Sequence, residues 1–523
     1  MKRGDWILGV GAVLLLLWLA AGAGRPWCLD DGLRLLAASG PELGRVAELD
    51  AVLNTGAVQP SSPLKAPLYP VLEPFVQWRG QGPLLVFPPL YLALLWLFSR
   101  LGELGPALLA LLSALGLAWA AQRLAQATAP DGSASAGRNP WLTALLASPV
   151  LFYLGTSWEF TLASLLVLLL LRERRRPWPR WVSLAYGLLP WLRPELLLIW
   201  AGGLFLLRGW TRRLLSLAGC AAGLLMHHAL TGSWLWLQVR ANFAAGGWHP
   251  LQNLASFLLP LPGGVWAWLG VGLLLGLAAA RRWPRLELPA LLAWLGAGLA
   301  FTFQQATAGD QLLPSWGLLL AAPLAVAALL RALRPDWRRG LEPELALLAG
   351  FLLVVVLLSP VNQGFHWGPR LLLPAVLPLG LWFLQREPVG WPRRLLLGLG
   401  LGAQLAALLL LAGRRDLVQR QDQQLMVLRA PVLATTEPYL LGDHPWLARE
   451  RTLYRPFGEK AARTMLQELR AQGVRELDLA VRPGHPLPIL LVRHLGLVPR
   501  AAPLEVAGSR LGSALVLHQL RLP

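Results

Sequence analysis

Asp30 and Asp31 stand side by side a few residues beyond an apolar stretch at 7–23. Two adjacent carboxylates at a membrane boundary suit a general base, or part of a divalent metal site. The plain alternative is an acidic loop capping a helix. Trp158-Glu159 opens another apolar run. A carboxylate there either complements a helix N-terminus or serves as a second acid that orients an acceptor or binds metal. A third group is Asn362-Gln363-Gly364-Phe365-His366-Trp367-Gly368-Pro369-Arg370, which collects hydrogen-bond donors in one short connection. Arg370 there could pair bidentately with a phosphate or snorkel to headgroups. Lys65, one of three lysines with Lys2 and Lys460, is a second candidate phosphate partner or a solvated charge. Arg193-Pro194-Glu195 reads as an internal ion pair at a helix break or as a ligand contact. Arg240, His249 and Asp310 are weaker candidates. No Walker motif, dinucleotide fingerprint or Gly-x-Ser-x-Gly is present, which disfavours ATP-driven transport and serine hydrolysis.

The elements that must hold these residues belong to a membrane. The chain has 523 residues, 55% hydrophobic and only 14% charged, against about 25% charged in soluble domains. Mean hydropathy is +0.50, which excludes disorder. The 52 Gly and 43 Pro sit largely inside apolar runs, where membrane helices tolerate them. The net charge of +19 invites a nucleic-acid partner. However, the arginines fall in short clusters between apolar stretches rather than on one face. Many of the 26 Trp lie near span ends, as interfacial anchoring requires. Two cysteines, Cys28 and Cys220, are predicted near opposite faces and unbridged.

At about 20 residues per crossing, the segment 7–23 is predicted as a retained first helix rather than a cleaved signal. Further spans are predicted near 106–123, 140–155, 159–172, 182–193, 195–208, 214–230, 265–280, 287–303, 313–331, 343–360, 371–385 and 395–413. The stretch 182–208 reads as two half-length helices meeting at Arg193-Pro194-Glu195. These make about thirteen transmembrane helices. Charge counting orients them. Arg123 and Arg138, then Arg172 to Arg180, Arg208 to Arg213, Arg281 to Arg285, Arg331 to Arg339 and Arg386 to Arg394 fall on one side with Lys2 and Arg3. Between the second and thirteenth spans the opposite connections carry only Arg193, Arg240 and Arg370. This is the positive-inside pattern, so the acids and Arg370 are expected outside.

The odd number of spans puts the C-terminus outside. Residues 414–523 turn charged and polar and read as a small extracytoplasmic α/β domain. Strands are predicted at Val432–Thr435, Leu477–Val481 and Ala514–Leu517, with an amphipathic helix at Glu459–Gln472. Residues 1–413 form the transmembrane part, in which 24–105 is a long first outside loop. The Phe87-Pro88-Pro89-Leu90-Tyr91 stretch and Leu92–Leu101 are expected as a re-entrant or interfacial helix, because a further crossing would invert every later loop.

The order of these signals resembles that of integral-membrane glycosyltransferases of the GT-C superfamily, nearest the bacterial protein-mannosyltransferase and aminoarabinose-transferase type. The likeness rests on Asp30-Asp31 after the first helix, Pro88-Pro89-Leu90-Tyr91, Ala147-Ser148-Pro149, Arg193-Pro194-Glu195 and His366-Trp367-Gly368-Pro369-Arg370. It covers residues 1 to about 390 in layout, through short motifs. Phe87 stands where relatives carry a His before Pro-Pro-Leu. The resemblance implies a GT-C-like fold and transfer of a sugar from a polyprenyl-phosphate donor at the outer face of a bacterial inner membrane. It implies Asp30 or Asp31 as catalytic base and Glu159 as a second acid. Lys65, Arg193, His366 and Arg370 are the expected substrate and phosphate contacts, and a divalent metal at Asp30 and Asp31 is an open cofactor question. The acceptor is a glycan, lipid or protein. Two other readings stand beside it: a transporter or flippase of lipid-linked glycans, and a membrane scaffold whose outer domain binds partners.

Overall fold

The computed structural model describes residues 14–23, 34–35, 76–79, 82–85, 88–102, 104–129, 139–156, 158–236, 317–358, 370–437, 440–444, 446–454, 456, 458–506 and 514–522, with isolated positions between 257 and 296. The chain divides into two compact units, 1–23 with 106–410, and 24–105 with 411–523.

The first unit is helical among the described residues. Among the described residues, three helices are long and apolar enough to cross a membrane: Leu104–Thr128, Trp210–Thr231 and Trp391–Leu425. The other expected crossings within the described residues are shorter or broken. Residues 140–155 become Pro140–Leu146 and Val150–Tyr153, split at Ser148-Pro149 because proline lacks the N–H that would continue the ladder. Phe160–Glu173, Glu342–Leu358 and Leu373–Arg386 occupy three more predicted spans. The predicted span at 313–331 breaks before Pro323 into Leu318–Ala321 and Pro323–Ala332. The predicted spans 265–280 and 287–303 lie outside the described residues, apart from isolated positions.

The stretch 182–208 folds as a hairpin beside the Phe160–Glu173 helix. It rises through Val182–Tyr186 and Leu189–Leu192, turns at Arg193, and continues through the 3-10 turn Pro194–Leu196 into Leu197–Gly203. Tyr186 donates its hydroxyl proton to Glu173, at one end of the neighbouring helix, at 3.1 Å. Arg193 reaches Glu159 at the other end. Gly203 then returns to Leu170, with no room between them for a β-carbon. Small residues set the next contact. A β-carbon on Gly187 would lie 2.1 Å from the Ser216 carbonyl oxygen, and one on Gly219 would lie 2.1 Å from that of Leu184. The hairpin and the Trp210–Thr231 helix therefore touch backbone to backbone, as small-residue membrane contacts do.

The ends of this bundle differ in chemistry. At one end Glu173, fully buried, accepts from the Trp178 backbone N–H at 3.0 Å, from Tyr186 and from Arg212. Glu344, also fully buried, takes Arg174 at 3.1 Å and Arg175 at 3.5 Å. Arg331 pairs with Glu387 at 2.8 Å, and Arg386 donates to the carbonyls of Trp337 and Arg339. Gln385 donates to the Ala125 carbonyl at 2.7 Å and accepts from the Thr128 hydroxyl at 2.9 Å. Arginine-bearing connections that charge counting assigns to one side thus meet at one end.

In the second unit, β1 (Val76–Arg79) and β2 (Gly82–Leu85) pair antiparallel. The apolar helix near 92–101 is Pro89–Ser99. Its 11 residues reach about 16 Å, short of a crossing. Residues 411–523 build a mixed sheet from β3 (Val432–Thr435), β4 (Thr452–Tyr454), β5 (Glu476–Val481), β6 (Val498–Pro499), β7 (Leu504–Val506) and β8 (Leu515–Arg521). Its order is β4-β3-β5-β8-β6, with β7 also on β8. β4 and β5 flank β3 in parallel, whereas β8 runs antiparallel to β5. The amphipathic helix Gly458–Ala471 packs Ala462, Met465, Leu466 and Leu469 onto Val432, Ala434, Leu477 and Leu479. Alternate residues of a strand share one face, which is why these four line the same core. Cys220 is unbridged and Cys28 lies outside the described residues.

Candidate active site

Glu159 immediately precedes the Phe160–Glu173 helix, yet its side chain makes no cap hydrogen bond. The carboxylate turns away from the helix N-terminus and is fully buried. Its Oε1 accepts from Arg193 Nη1 at 2.6 Å. Arg193 is 2% exposed and donates from Nε to Glu195. Pro194 explains the geometry. A residue before proline is pushed out of the helical region, and Arg193 sits at φ −156°, ψ 132°. The extended residue breaks the helix and directs its side chain toward Glu159. Two carboxylates around one guanidinium leave a formal charge of −1 at the hairpin tip. Charges out of water persist only when paired and hydrogen-bonded, and this cluster meets that condition through both carboxylates.

Aromatic rings carry the cluster outward. The Arg193 guanidinium lies 4.3 Å from the Phe160 ring centroid, and that of Arg370 lies 5.4 Å from Trp158. Trp158 and Phe160 are 5.5 Å apart, and Tyr153 packs against both. The consecutive residues Trp158, Glu159 and Phe160 thus link two arginines, each over a ring face in cation–π geometry. The turn that presents them is tied at the Tyr153 carbonyl, which accepts from the Thr156 and Thr161 hydroxyls at 3.1 and 3.3 Å. Arg370 begins the 3-10 turn Arg370–Leu372 that leads into Leu373–Arg386. Arg386, at the far end of that helix, belongs to the arginine-rich end of the bundle.

Glu159, Arg193 and Arg370, which sequence reasoning selected separately, therefore gather at one end of the first unit. Glu195 joins them as the second partner of Arg193. Phe160 and Tyr153 had no signal in the sequence, because both sit inside apolar runs. Asp30, Asp31, Lys65 and His366 lie outside the described residues, as do Arg240, His249 and Asp310. Among the described residues no three His, Cys, Asp or Glu side chains converge as a metal site would require.

No protein-family model and no curated protein matches the chain. Two solved structures resemble it from end to end. One is ArnT from Cupriavidus metallidurans in the apo state, 16% identical, with 99% of this chain and 98% of that chain covered and a TM-score of 0.41. The other is the same protein bound to undecaprenyl phosphate, 14% identical over the same coverage, also with a TM-score of 0.41. At that level the likeness assigns neither residues nor chemistry to this chain.

Proposed function

We propose that the protein is a membrane glycosyltransferase that moves a sugar from a polyprenyl-phosphate-linked donor to an acceptor hydroxyl outside the cytoplasm. The observation that carries this reading is the separation of the two bundle ends. One holds the arginine-rich connections that the positive-inside rule assigns to the cytoplasm. The other holds Glu159, Arg193 and Arg370 around an aromatic cluster. A polyprenyl donor has its phosphosugar at headgroup depth, so its chemistry belongs at one rim of a bilayer rather than at the midplane.

The reaction is a single displacement with inversion. The acceptor oxygen attacks the anomeric carbon, and Asp30 or Asp31 takes the hydroxyl proton. The bond from the anomeric carbon to the phosphate oxygen breaks, and the polyprenyl phosphate leaves with the electron pair. Arg370, with Lys65 and His366, stabilises the charge developing on it. Glu159 holds Arg193 and so fixes the hairpin tip against the start of the Phe160–Glu173 helix. A flippase would instead favour a charged helix break midway through the bundle. The break at Arg193 meets the first residue before the Phe160–Glu173 helix, not its middle.

The test is transfer from a polyprenyl-phosphate sugar in membranes. The double variant Asp30→Asn/Asp31→Asn is expected to lose about 10²–10⁴ in rate, the usual worth of a general base. Arg370→Ala is expected to lose about 10²–10³, as for one oxyanion-stabilising donor. Undiminished transfer by the double variant removes the proposed base.

A further inference from the structure

The carboxyl ends of β3 and β5 mark a topological switch point in the mixed sheet, the position where a crevice is expected. These strands are parallel neighbours, paired Leu433 to Asp478, Ala434 to Leu479 and Thr435 to Ala480. From β3 the chain leaves toward β4 on one side, and from β5 it leaves toward β6, β7 and β8 on the other. Where successive connections diverge in this way, the loops part and leave room beyond the strand ends, the usual ligand position in open α/β sheets.

Four residues line this point. Thr435 ends β3, and its hydroxyl oxygen accepts the Glu437 N–H at 3.0 Å. Glu437 is 5% exposed, and both of its carboxylate oxygens accept from Arg482, Oε2 from Nε and Oε1 from Nη2 at 3.0 Å. The Arg482 side chain is nonetheless 54% exposed. The residues Arg482-Pro483-Gly484-His485 form a turn closed by the His485 N–H on the Arg482 carbonyl at 3.1 Å. Proline second and glycine third, with Gly484 at φ +74°, is the type II pattern. This stiff turn sets His485 beside Arg482. Nδ1 of His485 accepts the Leu487 N–H at 3.1 Å, so in the neutral ring the proton sits on Nε2 and that nitrogen is a donor. Burial, and then the charge of Arg482, hold His485 below the usual histidine range, with Glu437 opposing.

We propose that this crevice binds an oxyanion, the phosphate or carboxylate group of a ligand, through the Arg482 guanidinium and the Nε2–H of His485. The carboxylate of the set has both oxygens engaged by the guanidinium, while the Arg482 side chain stays 54% exposed. Glu437 is a positioning residue. Its two hydrogen bonds fix the plane of the guanidinium before a ligand arrives, which lowers the ordering cost of bidentate recognition. The site is separate from the transfer chemistry proposed above, and binding is read without turnover.

Full-length protein in detergent is titrated calorimetrically at pH 7 with inorganic phosphate, and in parallel with acetate and glycerol. Saturable phosphate binding is expected, with no heat from glycerol. His485→Ala is expected to weaken it about tenfold, the loss of one charge-assisted hydrogen bond. Arg482→Lys, which keeps the charge and loses the fork, is expected to weaken it similarly without unfolding the sheet, as checked by circular dichroism. Acetate binding as tightly as phosphate assigns a carboxylate ligand, whereas weaker acetate binding assigns a phosphate. Absence of saturable binding of either anion, or equal affinity in wild type and both variants, overturns the proposal.

Discussion

Arg193 places its Nη1 2.6 Å from Oε1 of Glu159, across 34 residues of chain and beyond the reach of water. One contact closes the tip of a helical hairpin against the start of the neighbouring helix. Removing Arg193 leaves two carboxylates without their shared guanidinium, whereas removing Glu159 leaves Arg193 paired with Glu195. Arg193→Met is expected to cost about 3–5 kcal/mol and Glu159→Gln less, with the double variant costing less than their sum. Thermal unfolding of the four proteins of this cycle in detergent measures the coupling. Additive losses would mean that the pair acts independently.

The glycine contact offers a second test. Gly187→Ala or Gly219→Ala must force apart backbones that a β-carbon would approach to 2.1 Å. Either change is expected to lower the melting temperature of the detergent-solubilised protein by several degrees. Gly398→Ala, in the Trp391–Leu425 helix with nothing within 4 Å of the new carbon, is expected to be neutral or to stabilise by up to about 1 kcal/mol. A similar loss in all three would argue against the packing.

Sidedness can be read with single cysteines in a background lacking Cys28 and Cys220. Leu235 is 67% exposed and follows the Trp210–Thr231 helix at the Arg193 end, where the Trp236 ring N–H donates to the Pro190 carbonyl. Gly340 lies at the arginine-rich end, where its carbonyl accepts from Arg175. A membrane-impermeant maleimide added to intact cells is expected to label Leu235→Cys and to spare Gly340→Cys until the membrane is broken. Labelling of both, or the reverse order, would remove the proposed outer site.

The second unit is expected to lose stability in mild acid. Burial holds both His485 and His518 below 6.5, and Arg482 adds to this at His485 while Glu437 opposes it. Each ring therefore binds its proton more readily when unfolded. The unfolded state carries more protons as pH falls through 6.5 toward the native values, so stability rises with pH across that window and is fully present above it. Urea unfolding between pH 5 and 7.5 should show this slope, and His485→Gln should flatten it. A pH-independent midpoint would contradict the assignment.

Local pattern carried much of the architecture into the sequence. Val432–Thr435 is a strand with the predicted bounds. The predicted Leu477–Val481 begins one residue earlier, and the Glu459–Gln472 helix runs Gly458–Ala471. The predicted Ala514–Leu517 starts one residue later and extends to Arg521 as β8, because pairing with β5 supports residues whose own alternation is weak. β4, β6 and β7 span two or three residues each, too short for any period to register, and only neighbouring strands define them.

For the site, residue type and position alone selected Glu159, Arg193 and Arg370, because a charge inside an apolar run is costly wherever the chain goes. Proline after Arg193 likewise fixed a break before any contact was known. What those charges touch was a tertiary decision. A carboxylate preceding a helix can cap it, and only the approach of the 182–203 hairpin turned Glu159 toward Arg193 instead. The same holds for the rings of Trp158 and Phe160 beneath two arginines, and for Glu437 beneath Arg482 across 45 residues. Composition and spacing report the cost of burying a group, whereas its partner depends on where the rest of the chain has packed.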